Sequence, residues 1–110
     1  MIRATFFKDA ETCLYTGFNV KGHSGYAEAG SDIVCASVSS MVMLFVNMAD
    51  SVFEIPFDFS SDEKKAEILF SVTKTDNKIS KAIECFSECI RSVADEYPDF
   101  VKVMEKDYTK

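Results

Sequence analysis

The chain has no tryptophan, a single histidine, two prolines and four glycines among its 110 residues. So little proline and glycine leaves no linker or low-complexity tract, and no repeat of solenoid period is present. Basic residues are scarce, with 12 Lys and Arg against 18 Asp and Glu and a net charge of −6. That balance argues against direct nucleic acid binding, which demands clustered cations, and is compatible with a basic polypeptide as partner. The start, Met1 to Glu11, lacks the basic residues and continuous apolar run of a signal peptide. The four cysteines, at 13, 35, 85 and 89, are spaced neither as a disulfide framework nor as a zinc site. They are expected to be reduced thiols in a cytoplasmic protein. No phosphate loop, nucleotide fingerprint or Ser–His–Asp arrangement occurs, so neither cofactor nor metal is expected.

The composition is 47% hydrophobic and 27% charged, with ten phenylalanines, which suits one domain over 1–110 with a single core of aromatic rings. Residues 1–8 and 13–21 are rich in β-branched and aromatic side chains and flank a DAET turn, which predicts an antiparallel hairpin. From Ile33 to Ala49 there are 17 residues without a charge. The stretch is too short and too rich in Ser37, Ser39, Ser40 and Asn47 for a membrane span. A helix apolar on all sides is expected to be buried on all sides, covered by the sheet on one face and by the second helix or another subunit on the other. Residues 51–59 alternate, with Phe53, Ile55, Phe57 and Phe59 inward and Pro56 marking an edge strand. Residues 66–73 read as a fourth strand. After Thr75, Asp76 and Asn77, the apolar residues Ile79, Ile83, Phe86, Ile90, Val93 and Tyr97 form a one-sided helical seam. Pro98 then precedes a last helical turn or two. The expected fold is α+β in the order ββαββα. It has a mainly antiparallel four-stranded sheet, a buried central helix and a second, amphipathic helix.

The chemistry concentrates between Gly22 and Ser40. His23 lies on a loop punctuated by Gly22, Gly25 and Gly30, and Ser31 or Asp32 can cap the helix that follows. Cys35 falls in that helix's first turn, where the positive end of the helix dipole favours thiolate. A histidine on the preceding loop is a base within reach of it, and the glycines permit a loop that opens and closes. Backbone N–H groups at the helix start are candidate oxyanion donors. Asp32, Cys35 and Ser39 share one helix face. Asp32 is explained either as a plain N-cap or as a group orienting His23, and Ser39 either as a bond to a helix carbonyl or as a partner of the reacting pair. Cys85 and Cys89, one turn apart, lack a second pair with which to hold a metal.

The run GHSGYAEAGSDIVCASVSS resembles the signature of the ribosomal-processing cysteine protease family Prp. Gly22 and His23 match its first pair, and Gly25, Tyr26 and Ala27 its second element. Gly30 matches its third, and Asp32, Ile33, Val34, Cys35 and Ala36 its fourth. Ser24 and Ser37 stand where alanine is usual, and neither change is expected to affect the chemistry. The resemblance implies a homodimeric cysteine endopeptidase that removes the N-terminal extension of large-subunit ribosomal protein twenty-seven. It implies Cys35 as nucleophile, His23 as base, Asp32 and Ser39 in support, and Gly22 as a hinge. A greasy substrate pocket is expected, with Tyr26, Gly25 and Gly30 as candidate substrate contacts. Two competing readings are a non-catalytic dimeric module that binds ribosomal proteins or assembly factors, and a redox sensor built on Cys35.

Overall fold

A computed structural model of the chain describes residues 1–28 and 31–108. The strands are β1 (Ile2–Asp9), β2 (Tyr15–Lys21), β3 (Phe57–Asp62), β4 (Glu67–Val72) and β5 (Val101–Tyr108); the helices are α1 (Ile33–Ser51) and α2 (Asn77–Glu96). The described residues form one five-stranded sheet in the order β3-β4-β2-β1-β5. The expected α+β class, the opening hairpin and both helices are present. Four strands were expected and there are five, so the order is ββαββαβ rather than ββαββα.

The added strand is the segment expected to be the chain's last helical turns. Pro98 ends the helical run, and beyond it Val101 and Val103 alternate with Lys102, the period of a half-buried strand. β5 pairs parallel with β1, Ile2 opposite Val101 through Asp9 opposite Tyr108. A parallel neighbour requires a crossover connection, and α2 supplies it between β4 and β5. The Tyr15 hydroxyl donates to the Glu105 carboxylate of β5, flanked by Lys8 at 3.8 Å and Arg91 at 3.7 Å. Burial, reinforced by the Glu105 bond, pushes the Tyr15 phenol up to about 12.

β3 also departs from expectation, running over 57–62 rather than 51–59. Helix α1 extends through Ser51, and the N–H groups of Val52 and Phe53 bond back to the Met48 carbonyl. Glu54 then turns with φ 51°, so Phe53 and Ile55 pack on the core from outside any strand. Phe59 is exposed rather than inward. β3 is nonetheless an edge strand, and Pro56 immediately precedes it.

The strand register builds the core. Phe6, Phe18 and Phe70 are cross-strand partners on β1, β2 and β4, and all three are fully buried. Phe45 of α1 and Phe86 of α2 descend onto this row and touch Phe18 at centroid distances of 5.6 and 4.7 Å. Such aromatic pairs add to simple area burial. Helix α2 presents Ile79, Ile83, Phe86 and Ile90 to the core, as its seam predicts, and Asp76 caps it by accepting from the Ile79 N–H at 2.8 Å.

Helix α1 has one face in the core and one face open within a single chain. It has the length and hydropathy to cross a membrane, but its Val34, Val38, Val42, Phe45, Val46 and Ala49 stripe is buried in the core. Its opposite side is open: Leu44 is 62% exposed and Ile33, Met43 and Met48 are also at the surface. Within one chain the central helix is therefore buried on one face only.

Because Phe18 touches four other buried rings, Phe18→Ala should cost about 3–5 kcal/mol in denaturant unfolding. A loss below about 1 kcal/mol would show that the row is not the centre of the core.

Candidate active site

Cys35 sits where α1 begins, and Asp32 determines that beginning. Asp32 has extended backbone angles, and its Oδ1 accepts the N–H groups of Val34 at 3.0 Å and Cys35 at 2.9 Å. This is N-cap geometry, which satisfies donors that have no intrahelical partner. The Ala36 N–H bonds the Asp32 carbonyl at 3.0 Å as the first helical bond. The helix-start donors expected to face an oxyanion are thus occupied at Val34, Cys35 and Ala36.

The other carboxylate oxygen faces the loop. Asp32 Oδ2 accepts the Ser24 hydroxyl and, at 3.3 Å, the Ala27 N–H. These bonds to the ionised form, led by the one from Ser24, lower the Asp32 carboxyl from its ordinary 3.8 to about 2. Asp32 is therefore the helix cap and also the anchor of the loop that carries His23.

Ser24, taken from the sequence as an inconsequential change, touches the sulfur. Its N–H donates to Cys35 Sγ at 3.4 Å, and the thiol donates to its Oγ at 3.5 Å. Only the fold reveals this, because a serine between a histidine and a glycine carries no distinguishing signal in a sequence.

His23 is exposed and lines two clefts, and Cys35 and Ser39 line both with it. One cleft, of about 320 Å³, has an apolar floor that includes Ile2, Val20, Val38 and Ile68. Its wall is the β3–β4 turn, with Asp62, Glu63 and Glu67. The other cleft, of about 530 Å³, runs under the loop past Gly25 and Ala27. Cys35 is thus common to both clefts.

Gly22 is held at the end of β2. Its N–H bonds the Ala66 carbonyl at 2.8 Å, and its φ of +98° is one that side chains rarely adopt. A Cβ there would lie 2.4 Å from the Met1 carbonyl oxygen. Gly25 also has positive φ, at +75°, but faces open space. Tyr26 lines neither cleft; its ring packs edge-on against Tyr97 and Phe100 at 5.5 and 5.3 Å. Gly30 lies outside the described residues. Cys13, Cys85 and Cys89 are exposed and remote from both clefts. Among the described residues no cluster of His, Cys, Asp and Glu could hold a metal.

A cysteine at a capped helix start that lines two clefts together with a histidine suits nucleophilic chemistry. The family described as cysteine protease Prp matches residues 1–102. The chain belongs to this family. The ribosomal processing cysteine protease Prp of Mycoplasma genitalium is 26% identical over 89 residues, spanning 80% of this chain and 86% of that one. The crystal structure of the ribosomal processing protease Prp from S. aureus, with a covalently linked product peptide, superposes with a TM-score of 0.88 at 21% identity. That match covers 96% of this chain and all of the other. SMU.848 from Streptococcus mutans gives a TM-score of 0.82 at 28% identity, covering 98% of this chain and 96% of its own.

The Asp32 shift fixes a sign. Its folded-state pKa lies below the ordinary value, so its stabilisation is complete above pH 3.8 and is lost as pH falls toward 2. Asp32→Asn should remove that part of the acid limb when unfolding is followed between pH 4 and 2; an unchanged limb would refute the assignment. Gly22→Ala should lower the melting temperature by at least several degrees, since left-handed backbone alone costs a non-glycine residue about 1–2 kcal/mol.

Proposed function

We propose that this chain is a cysteine endopeptidase in which Cys35 is the nucleophile and His23 the general base. The observation that carries the reading is that Cys35, at a capped helix start, lines two clefts together with His23. His23 takes the proton from Sγ, and the thiolate attacks the carbonyl of the scissile bond. As that bond breaks, the imidazolium returns the proton to the leaving amine and an acyl-enzyme remains. Water, activated by the same imidazole, then releases the new C-terminus and the free thiol. Asp32 fixes the helix start and the loop, and Ser39, one turn beyond Cys35, stands in support.

The substrate we propose is the N-terminal extension of the large-subunit ribosomal protein twenty-seven, cut in the cytoplasm as part of ribosome maturation. An apolar cleft floor suits hydrophobic residues beside the scissile bond, and the carboxylates of Asp62, Glu63 and Glu67 suit a basic polypeptide. Support for peptide as the substrate class comes from the S. aureus relative, whose structures hold a covalently linked product peptide and a substrate peptide.

The working form we propose is a homodimer. The exposed side of α1 continues into an apolar groove with Met41, Leu44, Met48, Phe53, Cys85 and Cys89. A face of this kind favours a second copy. It is also the feature that favours the alternative reading, a non-catalytic dimeric module that binds ribosomal proteins or assembly factors. In that case Cys35 would be inert to alkylation.

Mass spectrometry of a synthetic peptide spanning the extension should show a single cut by the wild-type chain and none by Cys35→Ala. His23→Ala should lose at least about a hundredfold in rate. An intact peptide from folded wild-type protein would transfer the reading to the binding module. Sedimentation should give twice the chain mass, and Leu44→Glu should give a monomer; a wild-type monomer would remove the dimer.

A further inference from the structure

We infer that Ser24 is the positioning residue that places His23 beside the Cys35 sulfur, an inference that rests on the Cys–His reading above. Ser24 is 3% exposed, and its hydroxyl is fully used. A hydroxyl has one proton to give and two lone pairs to receive with. The proton goes to Asp32 Oδ2; the lone pairs accept the Tyr26 N–H at 3.1 Å and the Cys35 thiol at 3.5 Å. An ionised carboxylate can only accept, so the direction of the Ser24–Asp32 bond is determined while Asp32 carries its charge. The Ser24 N–H adds a further tie, to Sγ at 3.4 Å.

His23 has no such packing of its own, since it is exposed. Its two neighbours in the chain are both tied down. Gly22 is bonded to the Ala66 carbonyl at the start of β4, and Ser24 is bonded to the cap and the sulfur at the start of α1. The imidazole therefore hangs from a single residue spanned between two anchors. Of these anchors, Ser24 alone references its position to Cys35 itself. The cap does not depend on it, because the Val34 and Cys35 N–H groups reach the other carboxylate oxygen and Ala27 still bonds Oδ2. Loss of the Ser24 hydroxyl should thus loosen the loop while leaving the helix start in place.

The test is a double-mutant cycle read on the rate of Cys35 alkylation by iodoacetamide at neutral pH, followed by mass spectrometry. It uses the full chain as wild type, Ser24→Ala, His23→Ala and the double variant. Ser24→Ala should slow alkylation roughly ten- to a hundredfold, the scale of a base misplaced by about an ångström. In the His23→Ala background the same change should add less than about twofold, because the residue it positions is gone. In peptide cleavage Ser24→Ala should lower kcat by a similar factor and leave KM within about twofold. Equal slowing in both backgrounds would mean that Ser24 acts on the sulfur directly and would overturn the inference. So would wild-type alkylation by Ser24→Ala, or loss of its cooperative thermal melt, which would assign the hydroxyl to the fold. If His23→Ala is alkylated as fast as wild type, the Cys–His pair itself fails and Ser24 has nothing to position. If His23→Ala is slow and Ser24→Ala is not, the pair stands and only the role of Ser24 falls.

Discussion

The Asp32 carboxylate collects hydrogen bonds from two segments, the start of α1 and the loop after β2. Val34 and Cys35 donate to one oxygen from the start of α1, and Ser24 and Ala27 donate to the other from the loop after β2. A buried carboxylate is costly unless its lone pairs are filled, and here four donors fill them. The consequence is geometric. The residue that starts the helix beneath the thiol also fixes the loop that carries the histidine. Asp32 is thus the helix cap, and its second oxygen ties Ser24 and Ala27 of the loop.

That junction is held in place by the sheet. β2 delivers Gly22 to the rim, where its N–H bonds Ala66 ahead of β4 and its missing side chain admits the Met1 carbonyl. The row of Phe6, Phe18 and Phe70 seats Phe45 of α1 and so sets the height of that helix over the strands. The two clefts that Cys35 lines thus have walls from β1, β2, β4 and the β3–β4 turn, and from α1 and its preceding loop. Walls built from strands and a helix suit the proposed Cys35–His23 pair, since small displacements of a base cost rate steeply.

Where local pattern and tertiary pairing agreed, the sequence was legible. The seam from Ile79 to Ile90 specified α2 and its inward face, and Ser31 or Asp32 before an uncharged run specified the start of α1 to within a residue, Asp32 being the cap. Legibility failed where a distant partner decides the outcome. VKVMEKDY follows a helix and a proline and is short, and it becomes a strand because β1 offers an open edge more than ninety residues upstream in the chain. The alternation of Phe53, Ile55, Phe57 and Phe59 is real, yet the Met48 carbonyl captures the N–H groups of Val52 and Phe53 and delays the strand. The absence of charge on α1 predicts cover by the sheet on one face and by the second helix or another subunit on the other, and within one chain the core covers one face only.

The sequence by itself determined the family: a lone histidine, a cysteine after a capping residue and the glycines between them stand in the order that names it. These are local facts, set by residue type and spacing. Only the tertiary structure decided that Ser24 bonds both the cap and the sulfur, that Tyr26 packs onto Tyr97 and Phe100, and that Cys35 and His23 line the same two clefts. Each of these depends on contacts between elements that are distant in the chain or on the path of an irregular loop. Neither periodicity nor propensity encodes such contacts, because both describe a segment's neighbours along the chain and not those across the fold.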